Sequence, residues 1–251
     1  MPLRAMDSSN HNALLQPAYV LSIKPYRNTS ALLLVFTKDY GCLSVIAKGA
    51  KRSGSKLQLA LQPFQPLKVS WLGQSDLKTL TDVEPLSSGH WLQGPLLYSG
   101  LYLNELLSKL LKPWDAHSDL FDLYHQALSD LVQSSSVTSH MEQVLRRFEL
   151  QLLDELGYGL PLDQLDAEAL KVRAHYGFDE HRGLFCLNGH DEHYSGVSIS
   201  GESLWALVNN ALNTDHLRME AKRWMRYVIQ VLLGGQPLNV RKTMMSQRAY
   251  S

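Results

Sequence analysis

The sequence predicts an α+β protein, with a small five-stranded barrel first and a mainly α-helical domain after it. Three observations carry that expectation. Between Ala18 and Val83 apolar and polar residues alternate in five short runs, bounded by Gly, Pro, Asn or Asp. Beyond Pro85 the apolar spacing lengthens to roughly 3.5 residues, the spacing of an amphipathic helix. A chain of 251 residues is also long enough to bury two cores. Its expected parts are a flexible tail over 1–17, the barrel over 18–87 and the helical domain over 88–251. The last of these carries an insert at 175–198 and a basic final helix and tail at 215–251.

Met1 to Pro17, with Ser8, Ser9, Asn10, His11 and Asn12, offers too little apolar surface to order itself, so regular structure is expected from Ala18 onward. Tyr19, Leu21 and Ile23 alternate with polar neighbours. Pro25 and Arg27 to Thr29 turn the chain into a second strand, Ala31 to Thr37, and Lys38 to Gly41 turn it again into Cys42 to Lys48. A basic loop and a Leu57, Leu59, Leu61 segment follow. Pro63 and Pro66 then bend the chain into Leu67 to Leu72, and the turn at Gly73 to Asp76 leads to Leu77 to Val83. Five strands with tight turns fit a small closed barrel. The OB fold is the commonest such barrel that binds nucleic acid, while an SH3-like barrel has a similar strand count, and this pattern alone does not separate them.

In the second half, Pro95 suits a first helical turn, and Leu96, Leu103, Leu107, Leu110 and Leu111 recur at helical spacing until Pro113. Ala116 to Val132 reads as a second helix. A third carries Met141, Val144, Leu145, Phe148, Leu152 and Leu156 on one stripe, with Gly157 as its C-cap and Pro161 beyond. Arg146 and Arg147 lie off that stripe, which would leave their guanidinium groups to solvent or to a partner. Asp163 to Arg173 is a candidate short helix, and His175 to Ser198, broken by four glycines, a hairpin or irregular insert. Ser200 can cap a helix running through Ala211, and Thr214 one that ends at Gly234 and Gly235. In the latter, Leu217, Ala221, Trp224, Val228 and Leu232 share one face, while Arg218, Lys222, Arg223 and Arg226 form a secondary basic patch on the other.

The formal charge is zero, yet it is unevenly placed. Met1 to Pro85 carries ten basic and five acidic residues, and the remainder fourteen and nineteen, so a basic first domain precedes an acidic second one. The stretch SVIAKGAKRSGSKLQLALQPF, Ser44 to Phe64, concentrates the cations: from Tyr40 to Ser75 there are five Lys or Arg and no Asp or Glu. A strand there leaves a core and becomes a loop in which Gly49 and Gly54 permit close backbone approach. Such a surface suits a polyanion, because phosphates bound by Lys and Arg release counterions. A plain solvated loop is the competing reading.

Cys42 and Cys186 are the only cysteines, too few for a disulfide framework or a cysteine zinc site, and a reducing cytosol is the expected compartment. No run of about eighteen apolar residues and no signal-peptide core occurs, so no membrane association is expected. Phosphate loops, nucleotide-binding glycine fingerprints, nucleophile elbows and zinc-protease helices are all missing. His175, His181, His190 and His193 mingle with Asp179, Glu180, Asp191 and Glu192 in the insert, a set that could ligate a metal. An exposed polar hairpin explains the cluster better, because no helix or long strand would fix the ligands. No cofactor and no metal are expected. Exposed rings can stack on unpaired bases. Tyr26 and Tyr40, in turns beside Arg27 and Lys38, are the candidates, while Phe36, inside LLLVF, is expected in the core.

Six blocks run in order along the chain: AYVLSIKPYRNTSALLLVFTKDYG (18–41), VIAKGAKR (45–52), LQPFQPL (61–67), LKTL (77–80), LYSGLYLNELL (97–107) and LRRFELQLLDELGYG (145–159). In these the chain resembles the bacterial RecO family of recombination mediators. The resemblance implies an OB fold for 18–87 as the DNA-binding domain, a helical partner-binding domain and no catalytic activity. It also implies cytoplasmic, nucleoid-associated work in DNA repair and homologous recombination. Single- and double-stranded DNA would be bound, and complementary strands coated by the single-strand-binding protein SSB annealed. With RecR, such a protein would promote loading of RecA at gaps. Many family members carry four zinc-binding cysteines in the region of the insert. Only Cys186 stands here, which places the chain with a zinc-free branch.

The expected DNA contacts are Lys24, Arg27, Lys48, Lys51, Arg52 and Lys56, with Tyr26 and Tyr40 as stacking rings. For the acidic, apolar-ended C-terminal tail of SSB the candidates are Arg146 and Arg147 beside Phe148 and Leu152. Pairing of those arginines with Glu142, Glu149 or Asp154 within the helix is the purely structural reading. Two other classes stay open: an adaptor whose barrel binds protein rather than DNA, and an enzyme resting on the histidine-rich insert.

Overall fold

A computed structural model of the protein describes residues 12–52, 54–87, 89–133, 138–159, 174–187, 191 and 193–240. It divides into two compact units, Met1–Gln93 with Asn104–Leu128, and Gly94–Leu103 with Ser129–Ser251.

In the first unit, β1 (Ala13–Tyr26), β2 (Ser30–Thr37), β3 (Gly41–Ala47), β4 (Leu67–Leu72) and β5 (Lys78–Pro85) close into a barrel in the order β1-β2-β3-β5-β4. All neighbours are antiparallel except β3 and β5, which pair parallel through Val45↔Lys78 and Ile46↔Thr79. That is the OB arrangement, and it resolves the choice between barrels that strand count left open. Alternate residues fill the interior: Leu33 and Val35, Leu43 and Val45, Leu67, Val69 and Trp71 are buried.

The LLLVF run is apolar on both faces for a further reason. Tyr19 and Phe36 point out of the barrel, and α3 (Ser118–Gln133) covers them: Phe36 lies 5.4 Å, and Tyr19 5.5 Å, from the Phe121 ring. Near this contact Asn104, in α2 (Pro95–Leu110), donates to the Leu21 carbonyl at 3.1 Å and accepts from the Tyr124 hydroxyl at 2.5 Å. The buried polar groups on that outer face are thereby paired.

One expectation is corrected, and one segment left unassigned takes a form. Regular structure begins at Ala13, five residues before Ala18, because buried Ala13 pairs with Trp71 and Gln16 with Val69. The register shift between them, with Leu15 at φ 51°, breaks the alternation that would have marked the strand. The Leu57, Leu59, Leu61 segment is helical over Lys56–Ala60 (α1). A helix that short shows no period of its own.

The second unit is built on α4 (Thr138–Leu153), α5 (Gly201–Val208) and α6 (Asp215–Leu232). Val144, Phe148 and Leu152 of α4 are buried, as are Leu204 and Leu207 of α5 and Leu217, Ala221, Trp224 and Val228 of α6. The last turn of α4 widens over Asp154–Tyr158 and stops at Gly157, at φ 80°. The predicted caps are in place. Ser200 accepts from Ser203 N, and Thr214 from Leu217 N at 3.3 Å. The first of these helices ends at Val208, not Ala211. The insert holds the hairpin of β6 (His175–Asp179) and β7 (Gly183–Cys186), with β8 (Ile199–Ser200) on the other side of β6. The candidate helix Asp163–Arg173, with His190, Glu192, Arg241, Lys242 and Arg248, lies outside the described residues.

Candidate nucleic-acid interface

Barrel pairing sets two basic segments, far apart in sequence, at one end of the first unit. The β1–β2 turn and the loop after β3 meet there, because Ala31 pairs with both Pro25 and Ala47. A backbone hydrogen bond from Lys51 N to the Thr29 carbonyl, 3.0 Å, joins the two segments directly. The loop is shaped by consecutive turns, Arg52 N to Gly49 O at 3.1 Å and Ser55 N to Arg52 O at 3.0 Å, with Gly49 at φ 74°. Buried Ala50 pins it to the barrel core. The pinning turns the neighbouring cations outward: Lys48, Lys51 and Arg52 are exposed, as are Lys24 and Arg27. Among the described residues no carboxylate pairs with any of the five. The side chain of Lys56 lies outside the described residues.

The same end holds a cleft of about 630 Å³ lined by Tyr26, Arg27, Asn28, Thr29, Ser30, Ile46 and Lys48. Arg27 adopts a left-handed φ of 51°, and its guanidinium carbon sits 5.3 Å from the centre of the Tyr26 ring. The polar lining from Asn28 to Ser30 was not among the sequence candidates. Small turn residues carry no signal of a cleft until the barrel closes behind them.

The two stacking candidates separate. Tyr40 sits in the β2–β3 turn, at the other end of a strand roughly 20 Å long. It is half-buried, edge-on to the core residue Trp71 at 5.3 Å, so it extends the barrel core. Its neighbour Lys38 is bound by Asp122 at 2.7 Å. Lys78 is buried, donating to the Gly73 carbonyl at 2.9 Å and lying 4.9 Å from the Trp114 ring.

In the second unit the candidate residues are more enclosed. Phe148 and Leu152 are core residues, and Arg146, expected at the surface, is 7% exposed. Its guanidinium donates to Glu149 at 2.6 Å, and the same carboxylate oxygen accepts from the Tyr102 hydroxyl at 2.5 Å. The intrahelical i, i+3 pairing is therefore the one Arg146 makes. Arg147 reaches off its helix to Asp130. On α6, Arg218 binds Asp215 and the Leu212 carbonyl, and Lys222 binds Glu142. Arg223 and Arg226 are exposed, on the same side as exposed Met219.

In the insert, Asp179 accepts from the backbone of His181 at 2.9 Å and Arg182 at 3.2 Å, which hold its carboxyl below the usual range. Arg182 lies 3.8 Å from the Phe185 ring and bonds Asp191 at 3.2 Å. These side chains close a hairpin turn. Burial pushes the Cys42 thiol up to about 12. Among the described residues no helix is long and apolar enough to cross a membrane.

Comparison with known proteins joins the two units under one description. A family model described as Recombination protein O N terminal matches residues 12–88, and one described as Recombination protein O C terminal matches residues 93–242. The DNA repair protein RecO of Polynucleobacter necessarius subsp. necessarius is 38% identical over 229 residues, covering 90% of this chain and 93% of its own. That of Halorhodospira halophila is 39% identical over 237 residues, 93% of this chain and 97% of its own. That of Proteus mirabilis is 40% identical over 229 residues, 90% of each chain. A closed five-stranded barrel, a helical unit behind it in sequence and matches that span nearly the whole length agree: the chain belongs to the RecO family of DNA repair proteins.

Proposed function

We propose that the protein is a non-catalytic mediator of DNA repair and homologous recombination that grips the sugar-phosphate backbone with the cationic end of its barrel. One observation supports this above the others. Lys24, Arg27, Lys48, Lys51 and Arg52 stand at one end of the barrel with no carboxylate partner among the described residues, whereas Arg146, Arg147, Arg218 and Lys222 are each engaged by a carboxylate of the second unit. A phosphate arriving at the barrel end displaces counterions only. One arriving at the other set must break an ion pair first. If each of the five cations meets one phosphate, log K falls with log salt with a slope of about −3.5 on a single strand. Cations that serve two strands at once lower the repulsion opposing their pairing, and so favour annealing of complementary strands, including strands coated by SSB.

Work with SSB, RecR and, through them, RecA belongs to the second unit in this reading. An acidic tail ending in apolar residues needs cations beside a greasy patch. Arg223 and Arg226 beside Met219 offer both on a surface, while Phe148 and Leu152 would have to leave a core to do so.

The test is fluorescence annealing of SSB-coated complementary oligonucleotides. The wild-type protein is expected to accelerate pairing, and a Lys48→Ala, Lys51→Ala, Arg52→Ala variant to lose about tenfold or more of that acceleration. A variant that anneals at the wild-type rate would remove the barrel end from the account.

A further inference from the structure

The cleft beside the β1–β2 turn does more than display charge. Its lining combines apolar Ile46 and aromatic Tyr26 with Asn28, Thr29 and Ser30, residues whose side chains can hydrogen-bond. Lys48 and Arg27 supply the cations. A volume of about 630 Å³ lies within the range of small-ligand sites and exceeds what a phosphate alone needs. A purely electrostatic rim requires neither an aromatic ring nor an apolar side chain in its lining. A nucleotide uses all three: a π-face for the base, hydrogen bonds for its edge and cations for its phosphate.

The backbone is built to hold this shape. Arg27 adopts a left-handed φ of 51°, a conformation disfavoured for a residue with a side chain. The Lys51 N to Thr29 O hydrogen bond braces the turn from the loop that carries the other cations. The Arg27 guanidinium carbon lies 5.3 Å from the centre of the Tyr26 ring, which is half-buried at the barrel end.

We infer that this cleft takes one unpaired nucleotide, its base against Tyr26 and its phosphate at Lys48 and Arg27, so that the barrel end prefers a single strand to a duplex. In a duplex the base faces are already stacked on their neighbours, so only phosphates are offered to the rim. The inference rests on the proposed DNA-binding role of that end.

The experiment is fluorescence anisotropy with a labelled thymidine oligomer and a labelled duplex of equal length, each over a range of salt, using the full chain. Variants are Tyr26→Ala and Tyr26→Phe, whose melting is compared with wild type; Tyr26 is the last residue of β1 and lies outside the barrel core. Tyr26→Ala should weaken single-strand binding about tenfold, the usual loss of one stacked base, leave duplex binding within about twofold and leave both salt slopes unchanged. Tyr26→Phe should restore most of the affinity. Unchanged single-strand affinity in Tyr26→Ala, or equal loss on both substrates, overturns the cleft assignment while leaving the cationic rim intact. Wild-type protein that binds neither substrate with a salt-dependent affinity fails the rim itself.

Discussion

Gly41 has no room for a side chain: a Cβ there would run into the backbone carbonyl of Asp115, and its φ of 66° is disfavoured for any residue that carries one. Gly41→Ala is therefore expected to cost at least about 2–3 kcal/mol, read as a fall in the urea midpoint without a change in its slope. Arg146 is a second residue whose removal should be felt through stability. Truncating it to Ala leaves the Glu149 carboxylate buried without its cation, and breaking one half of a buried pair typically costs about 3–5 kcal/mol. The same variant should leave DNA affinity unchanged at temperatures where it stays folded; weakened DNA binding there would give Arg146 a different role. His90 supplies a pH dependence. Its Nε2 is buried and unbonded among the described residues, and burial first, then neighbouring His125, lower its pKa from 6.5. Above pH 6.5 both folded and unfolded chains hold it neutral. As pH falls through 6.5 the unfolded chain takes a proton that the folded chain refuses, so stability is lost on the acid side. His90→Asn should flatten the decline of Tm between about pH 7 and about pH 5, and an undiminished decline would exclude His90 as its source.

At the scale of elements, what could be read in the sequence follows from how each element signals itself. The barrel strands from β2 to β5 were legible within a residue or two, because a half-buried strand must alternate and its turns need Gly, Pro or Asp. The first five residues of β1 were not, since a register shift at Leu15 destroys alternation while leaving the pairing with β4 intact. Helix caps at Ser200 and Thr214 were legible from residue type alone. The cations of the barrel end could be named from composition. That Tyr26 stands among them while Tyr40 closes the core at the other end is a matter of which turn lies at which end, information that only the pairing holds. Burial of Arg146 was hidden for a related reason: a position off the apolar stripe of one helix can still face a third element, here through Tyr102. The α5–α6 junction yields a prediction of its own. Glu220 accepts from Ser200 N at 3.0 Å, from Ser200 Oγ at 2.6 Å and from Ser203 Oγ. Burial would raise its pKa, but these bonds outweigh that and hold it below the ordinary value. Ser200→Ala removes the α5 cap together with one of these bonds and should lower stability by about 1–2 kcal/mol. A midpoint equal to wild type would show that the cap contributes nothing.

At the scale of the whole molecule, a neutral chain is divided into a cationic barrel region and a second part in which many charges are spent on internal pairs. The compact unit around the barrel draws on residues well beyond the last strand. Leu120, Phe121 and Tyr124 are buried, and the rings of Phe121 and Tyr124 shield Tyr19 and Phe36. A fragment ending at Gln93 should accordingly expose those rings, bind an apolar dye and melt well below a fragment extended to Gln133; equal melting of the two would contradict this dependence. Partner recognition at α6 and DNA recognition at the barrel end should also be separable. Arg223→Ala with Arg226→Ala is expected to spare DNA affinity while weakening an acidic peptide of the SSB-tail type several-fold in a titration. Whether the barrel-end cations, which pair with no carboxylate among the described residues, meet the phosphate chain is read from the salt dependence of single-strand affinity. Replacing Lys48, Lys51 and Arg52 with Ala should reduce the slope of log K against log salt by about 2, at about 0.7 for each lost phosphate contact, and by a similar amount on different base sequences. A slope identical to that of the wild-type protein would contradict that contact.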